Sequence, residues 1–155
     1  MIYLVSDRNQ PIRGTLTARV MDYSGNIQLH KQLEVIAEPA ASKIYLELRK
    51  KDIPAGRDRE QSFLLCEFCQ SDGTVLSRNI HYLLLYKNTP HFKAEIECEV
   101  ISDGDNLKIV LHNYGALARD VYLTASTLGG FFEDNFFDLL PGEKMEKRFL
   151  PLISK

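Results

Sequence analysis

Residues 129–143 read GGFFEDNFFDLLPGE and set four carboxylates, Glu133, Asp134, Asp138 and Glu143, among four phenylalanines. Paired carboxyls are the apparatus of glycoside hydrolysis: about 5–5.5 Å apart for a retaining enzyme, about 6.5–9.5 Å for an inverting one. Closeness along the chain does not make such a pair, and turn-forming and strand-edge roles account for all four acids. Asp134 and Asn135 suit hydrogen bonds to nearby backbone amides. Leu140-Pro141-Gly142-Glu143 suits a type II turn, with proline presetting φ and glycine accepting a positive φ after it. Each phenylalanine carries roughly 150–250 Å² that is costly to leave in water. The expectation is a segment mostly buried, folded back to close the end of a small sandwich or an interdomain joint.

The other candidates for chemistry have plainer explanations. Cys66 and Cys69 form a CxxC motif, which on paper binds metal or does redox work. Their setting, SFLLCEFCQ, alternates like a strand, and residues three apart on a strand face opposite ways; both read as packing residues. In SDGDN, Asp103 and Asp105 flank Gly104 without the further oxygen ligands of a calcium loop, so the stretch reads as a hairpin turn. His30, His81, His91 and His112 lack zinc-ligand spacing, and no Ser-His-Asp arrangement is legible. No catalytic, cofactor-binding or metal-ligating residue is assigned, and no cofactor is expected. Five tyrosines, Tyr23, Tyr45, Tyr82, Tyr114 and Tyr122, are available to stack on a sugar, with Tyr45 and Tyr122 on outward faces; the chain has no tryptophan.

The elements that must position these residues follow a period of two. FKAEIECEV places Phe92, Ala94, Ile96, Cys98 and Val100 on one side and Lys93, Glu95, Glu97 and Glu99 on the other, a strand with a dry and a wet face. The same pattern points Leu16, Ala18 and Val20 inward, then Ile44, Leu46 and Leu48. It does so again with Leu107, Ile109 and Leu111, and with Val121, Leu123 and Ala125. Ser24-Gly25-Asn26, Ser71-Asp72-Gly73 and Asp103-Gly104-Asp105 supply hairpin turns. LELRKKDIPAGRD is read as a loop, because Pro54 and Gly56 would end a helix. About six strands precede Tyr86 and four or five follow. The fold class predicted is all-β: two immunoglobulin-like antiparallel β-sandwiches in tandem, residues 1–88 and 89–155. Pro90 forces its predecessor to be extended at that boundary. The second sandwich is near the lower size limit for an independent core and is expected to lean on the first.

Charge narrows the partners. Residues 1–87 hold 12 Lys+Arg and 10 Asp+Glu, whereas residues 88–155 hold 7 and 11. Neither half carries a basic stripe, so no nucleic-acid partner is expected. No apolar run approaches the ~20 residues of a membrane span, and MIYLVSDRNQ lacks the layout of a signal peptide.

The closing segment carries a resemblance. DNFFDLLPGE (Asp134–Glu143), preceded by ARDVYLTAS (Ala118–Ser126), resembles the C-terminal immunoglobulin-like domain of glycoside hydrolase family 2 β-mannosidases. YLVSD (Tyr3–Asp7), GTLTARVMDYSG (Gly14–Gly25) and DGTVLSRNIHY (Asp72–Tyr82) resemble the sandwich preceding it in those enzymes. Exo-glucosaminidases carry a similar closing stretch, so the superfamily is better marked than the sugar. The resemblance implies a parent enzyme that hydrolyses terminal β-mannosides with retention through two glutamates on a (β/α)₈ barrel. No part of this chain matches the barrel, so no catalytic residue carries over, and the chain would be a non-catalytic scaffold partnered intramolecularly by the barrel. Mannoside would be substrate for the parent only, periplasmic or secreted if bacterial. The resemblance also implies that the first sandwich lacks its first strand, leaving an unpaired edge that predicts concentration-dependent dimers. The alternative is an autonomous carbohydrate-binding or protein-interaction module.

Overall fold

Period-two patterning becomes strand wherever it is sustained. The computed structural model describes residues 1–85, 88 and 92–152. Twelve strands lie within them, every pair antiparallel. The chain divides into two compact units, Met1–Asp22 with Asn26–Pro90, and Tyr23–Gly25 with His91–Lys155. Of the boundary residues named from sequence, Thr89 and Pro90 lie outside the described residues, as do Tyr86 and His91.

The first unit holds β1 (Ile2–Ser6), β2 (Ile12–Asp22), β3 (Ile27–Ala37), β4 (Ala41–Leu46), β5 (Ser62–Cys69) and β6 (Val75–Tyr82). Four of them form a sheet ordered β3-β2-β5-β6, while β1 and β4 pair separately. Leu16, Ala18 and Val20 are 1%, 0% and 0% exposed, as their alternation predicts. They join Ile2, Val35, Ala37, Leu64 and Phe68 in one core, with half-buried Tyr45, Leu46 and Leu48 against it. The hairpin glycines Gly25 and Gly73 have φ of 94° and 87°.

Two expectations fail here. Ile44 is 39% exposed, whereas Tyr45, assigned outward, is half-buried and donates its hydroxyl hydrogen to the Ile36 carbonyl at 2.6 Å. A register irregularity at Ile2/Tyr3, opposite the end of β4, breaks the strict alternation. Lys50–Asp52 forms a 3₁₀ turn and Gly56–Glu60 a short helix, α1. Ile53, extended before Pro54, closes the 3₁₀ turn, and the helix begins only beyond the proline.

Across β2, β5 and β6 lies a charged clamp that the pattern did not announce. Glu67 on β5 is only 7% exposed. It receives the Arg19 guanidinium from β2 and Arg78 Nε and Nη2 from β6, both at 2.8 Å. A buried carboxylate requires such pairing, since an unpaired charge there would cost several kcal/mol.

The second unit holds β7 (Ile96–Asp103), β8 (Asn106–Asn113), β9 (Ala118–Val121), β10 (Gly130–Phe132), β11 (Phe137–Leu139) and β12 (Lys144–Pro151). Its larger sheet runs β10-β12-β8-β7, and β9 pairs with β11. The core is built from Ile109, Leu111, Ala118, Leu139 and Phe149, with Leu107, Phe132, Phe137 and Met145 packed around it. Six strands exceed the four or five expected because two three-residue strands, β10 and β11, lie inside the phenylalanine-rich segment. β7 is the chief correction. Ile96 and Val100 are 38% and 59% exposed, and Cys98 is exposed too. Their face is the predicted one, since Cys98 and Val100 lie opposite the buried Leu111 and Ile109. The strand, however, is the sheet edge, and none of its residues enters the core cluster.

Candidate functional site in the closing segment

The phenylalanine-rich segment begins where β10 meets β12, with Gly130 opposite Pro151. A side chain at Gly130 would meet the Phe149 ring at 2.4 Å and the Leu150 carbonyl at 2.5 Å, so only glycine fits. Phe132 packs obliquely on Phe149, centroids 4.9 Å apart. The segment ends in the predicted turn: the Glu143 amide donates to the Leu140 carbonyl at 3.1 Å, and Gly142 has φ of 73°.

A fully buried asparagine anchors that turn. Asn113 Nδ2 donates to the carbonyls of Ala116, Leu139 and Leu140 at 2.8, 3.1 and 3.2 Å. Its Oδ1 accepts the Gly115 amide at 3.0 Å, and its backbone bonds Gly142 and Glu143. Leu139 and Leu140, beside this hub, are 0% and 8% exposed. Nothing in the sequence singles out Asn113. An asparagine ending an apolar strand is the only trace, and the partners of its side chain lie up to 27 positions away.

Each of the four carboxylates has its own partner. Glu133 pairs with Arg148 at 3.3 Å. Asp134 accepts the Lys147 ammonium, which lowers its pKa below the usual carboxylate range. Lys147 and Arg148 are successive on β12 and therefore serve opposite faces. Asp138 accepts the Asp120 amide at 2.9 Å. Glu143 accepts the Leu140 amide at 2.9 Å, inside its own turn. The acids fasten the segment to β9, to β12 and to itself.

The phenylalanines divide, and this corrects the expectation of a mostly buried segment. Phe132 and Phe137 are half-buried, the latter with the Lys147 ammonium 4.2 Å from its ring centre. Phe131 and Phe136 are 57% and 69% exposed. Phe136 stacks on the exposed Tyr122 with centroids 4.7 Å apart and planes 22° from parallel. The backbone holds it there: Asn135 Oδ1 accepts the Leu123 amide at 2.7 Å and its Nδ2 donates to the Leu123 carbonyl at 3.0 Å. Phe136 thereby sits at φ of 58°, a left-handed conformation that a bulky residue rarely adopts.

The remaining candidates stand apart from this segment. Cys66 and Cys69 are half-buried free thiols on β5, and burial raises the pKa of both. Gly104, with φ of 62°, turns β7 into β8 between Asp103 and Asp105. His112 packs on Tyr114, centroids 3.8 Å apart; His30 and His81 lie on β3 and β6. Among the described residues no three of His, Cys, Asp and Glu are grouped to hold a metal ion, and no helix is long and apolar enough to cross a membrane. In the first unit, β1 pairs among the described residues with β4 alone, on one edge. Beside it lies a groove of about 570 Å³ lined by Tyr3, Leu4, Val5, Phe68 and Leu76 among others.

This architecture is similar to parts of known carbohydrate-active enzymes. A β-D-mannosidase from Dictyoglomus thermophilum matches 99% of the chain with a TM-score of 0.80 at 17% identity. An exo-chitosanase from Amycolatopsis orientalis matches 95% with a TM-score of 0.63 at 14% identity. The chain spans only 18% and 22% of those two structures. No curated protein matches it by sequence. Family profiles match in tandem, a mannosidase Ig/CBM-like domain over residues 1–88 and an Ig-fold domain of the mannosidase type over residues 92–154. The chain therefore belongs to the mannosidase Ig/CBM-like family, followed by the Ig-fold domain of the same class of enzymes.

Proposed function

We propose that this chain is the non-catalytic C-terminal β-sandwich region of a glycoside hydrolase family 2 β-mannosidase and acts as a scaffold for its catalytic barrel. The observation that carries this is order. Two mannosidase-type domains follow one another across residues 1–154, and the mannosidase that the chain overlays is more than five times its length. The parent hydrolyses terminal β-mannosides with retention, its two glutamates lying on the barrel. The sandwiches contribute rigidity, limiting the motion of barrel loops around the sugar. The partners of the four acids of the closing segment support this division of labour, since each acid serves the fold.

Assay of the purified chain on an aryl β-mannoside is expected to give no turnover; turnover that survives repurification overturns the scaffold role. The coding sequence upstream is expected to specify alternating strands and helices with two suitably placed glutamates, and its absence removes the parent enzyme. In isolation, the open edge of β1 is expected to pair with a second copy. Light scattering tests this: mass rising with concentration supports the pairing, and a monomer at every concentration refutes it.

A further inference from the structure

We infer that the Tyr122–Phe136 ring pair is a sugar-binding platform, its ligand class a pyranoside or short oligosaccharide stacked on the outer face of the pair. The site goes beyond the scaffold role, which needs no ligand on these domains. Three observations converge on it. First, both rings lie in water: Tyr122 is 59% exposed and Phe136 69%, although the half-buried Phe132 and Phe137 show that the same segment can cover a phenylalanine. Lone exposed apolar side chains are ordinary, but these two rings stack into one contiguous exposed patch, the arrangement that marks a binding surface.

Second, the position is strained and braced. Three non-glycine residues among those described have left-handed φ, and two of them, Asp120 at 50° in β9 and Phe136 at 58° just before β11, lie at this pair of strands. The Asp138–Asp120 and Asn135–Leu123 hydrogen bonds hold both. Strain of this kind persists where the surroundings over-determine it, and it clusters at ligand clamps and other functional positions. A segment selected only to pack would place glycine or asparagine there. Third, exposed hydrogen-bonding groups flank Tyr122 along the chain, two positions to either side. The Tyr122 hydroxyl and the Asp120 carboxylate bond no other described residue, and Thr124 is exposed. Apolar ring faces edged by free acceptors and donors suit a pyranose, whose C–H face is apolar and whose rim is hydroxylated.

The test is a titration of the intact chain with mannohexaose, and in parallel with chitohexaose, followed by amide NMR shifts. Perturbations confined to residues 120–124 and 134–138, saturating near ~1 mM as suits a single weak platform, are expected. Tyr122→Ala and Phe136→Gly are expected to weaken binding about tenfold or more. Phe136→Gly removes the ring while suiting the left-handed backbone, so its fold is retained, and an unchanged unfolding temperature verifies that. Absence of shifts with both sugars overturns the platform, as does binding that either variant leaves intact. Neither result touches the scaffold reading, which stands on the hydrolysis assay and the upstream sequence.

Discussion

β2 and β7 carry the same written pattern and meet opposite fates. Each sets an apolar side chain at every second position, and each points that face to the same side as buried neighbours across the ladder. Leu16, Ala18 and Val20 of β2 are essentially sealed, whereas Val100 of β7 is 59% exposed. The difference is place. β2 is flanked by β3 and β5 and roofed by a core that draws on every strand of its unit. β7 has one neighbour, and the core beneath the sheet stops at β8. Alternation states which face would be dry; only the number and position of neighbours decides whether it is.

Substitutions can break this contrast. Leu16→Ala is expected to cost about 2–5 kcal/mol in a denaturant titration, while Val100→Ala costs less than about 0.5 kcal/mol. Equal losses would mean that β7 is covered in solution. Asn113→Ala is expected to cost about 1–3 kcal/mol, because it strands the buried Leu139 and Leu140 carbonyls and the part-buried Ala116 carbonyl beside the Leu140–Glu143 turn. Full stability in that variant would show that the turn holds without its hub.

Phe136→Ala sharpens the same comparison inside the closing segment. A buried ring there would cost about 3–5 kcal/mol; with 69% of Phe136 exposed, a loss below about 1 kcal/mol is expected, and a larger one would return the ring to the interior. The smallest effect is acid sensitivity. The Lys147 ammonium depresses the pKa of Asp134 in the folded chain. Its contribution is therefore present above the unfolded value of about 3.9 and fades as pH falls through the lower folded value. Solvent limits it to about a few tenths of a kcal/mol. Asp134→Asn should remove that part of the acid slope, and an unchanged slope would mean that the ion pair is inert.

Much of the fold was legible because its signals are local. Turn glycines, the Pro141-Gly142 corner and the inward residues of β2 and β8 depend on neighbours within a few positions. The resemblance carried by Asp134–Glu143 located the family as well. The misreadings share a cause. Tyr45 and Ile44 exchanged roles at an irregularity in strand pairing, and β7 lost its cover to a sheet edge. Phe136 was lifted out by two hydrogen bonds from Asn135 to Leu123, twelve positions away. Glu67, which no local pattern marks, is held buried by two arginines from separate strands.

The amino-acid order alone determined that this chain is built of antiparallel strands with two separate cores, because side-chain alternation and turn chemistry are written within a few residues of one another. Tertiary structure alone decided which apolar faces are covered, where the buried polar hubs form, and which phenylalanines stay in water. Those outcomes depend on partners brought together from distant parts of the chain, and no local pattern specifies them.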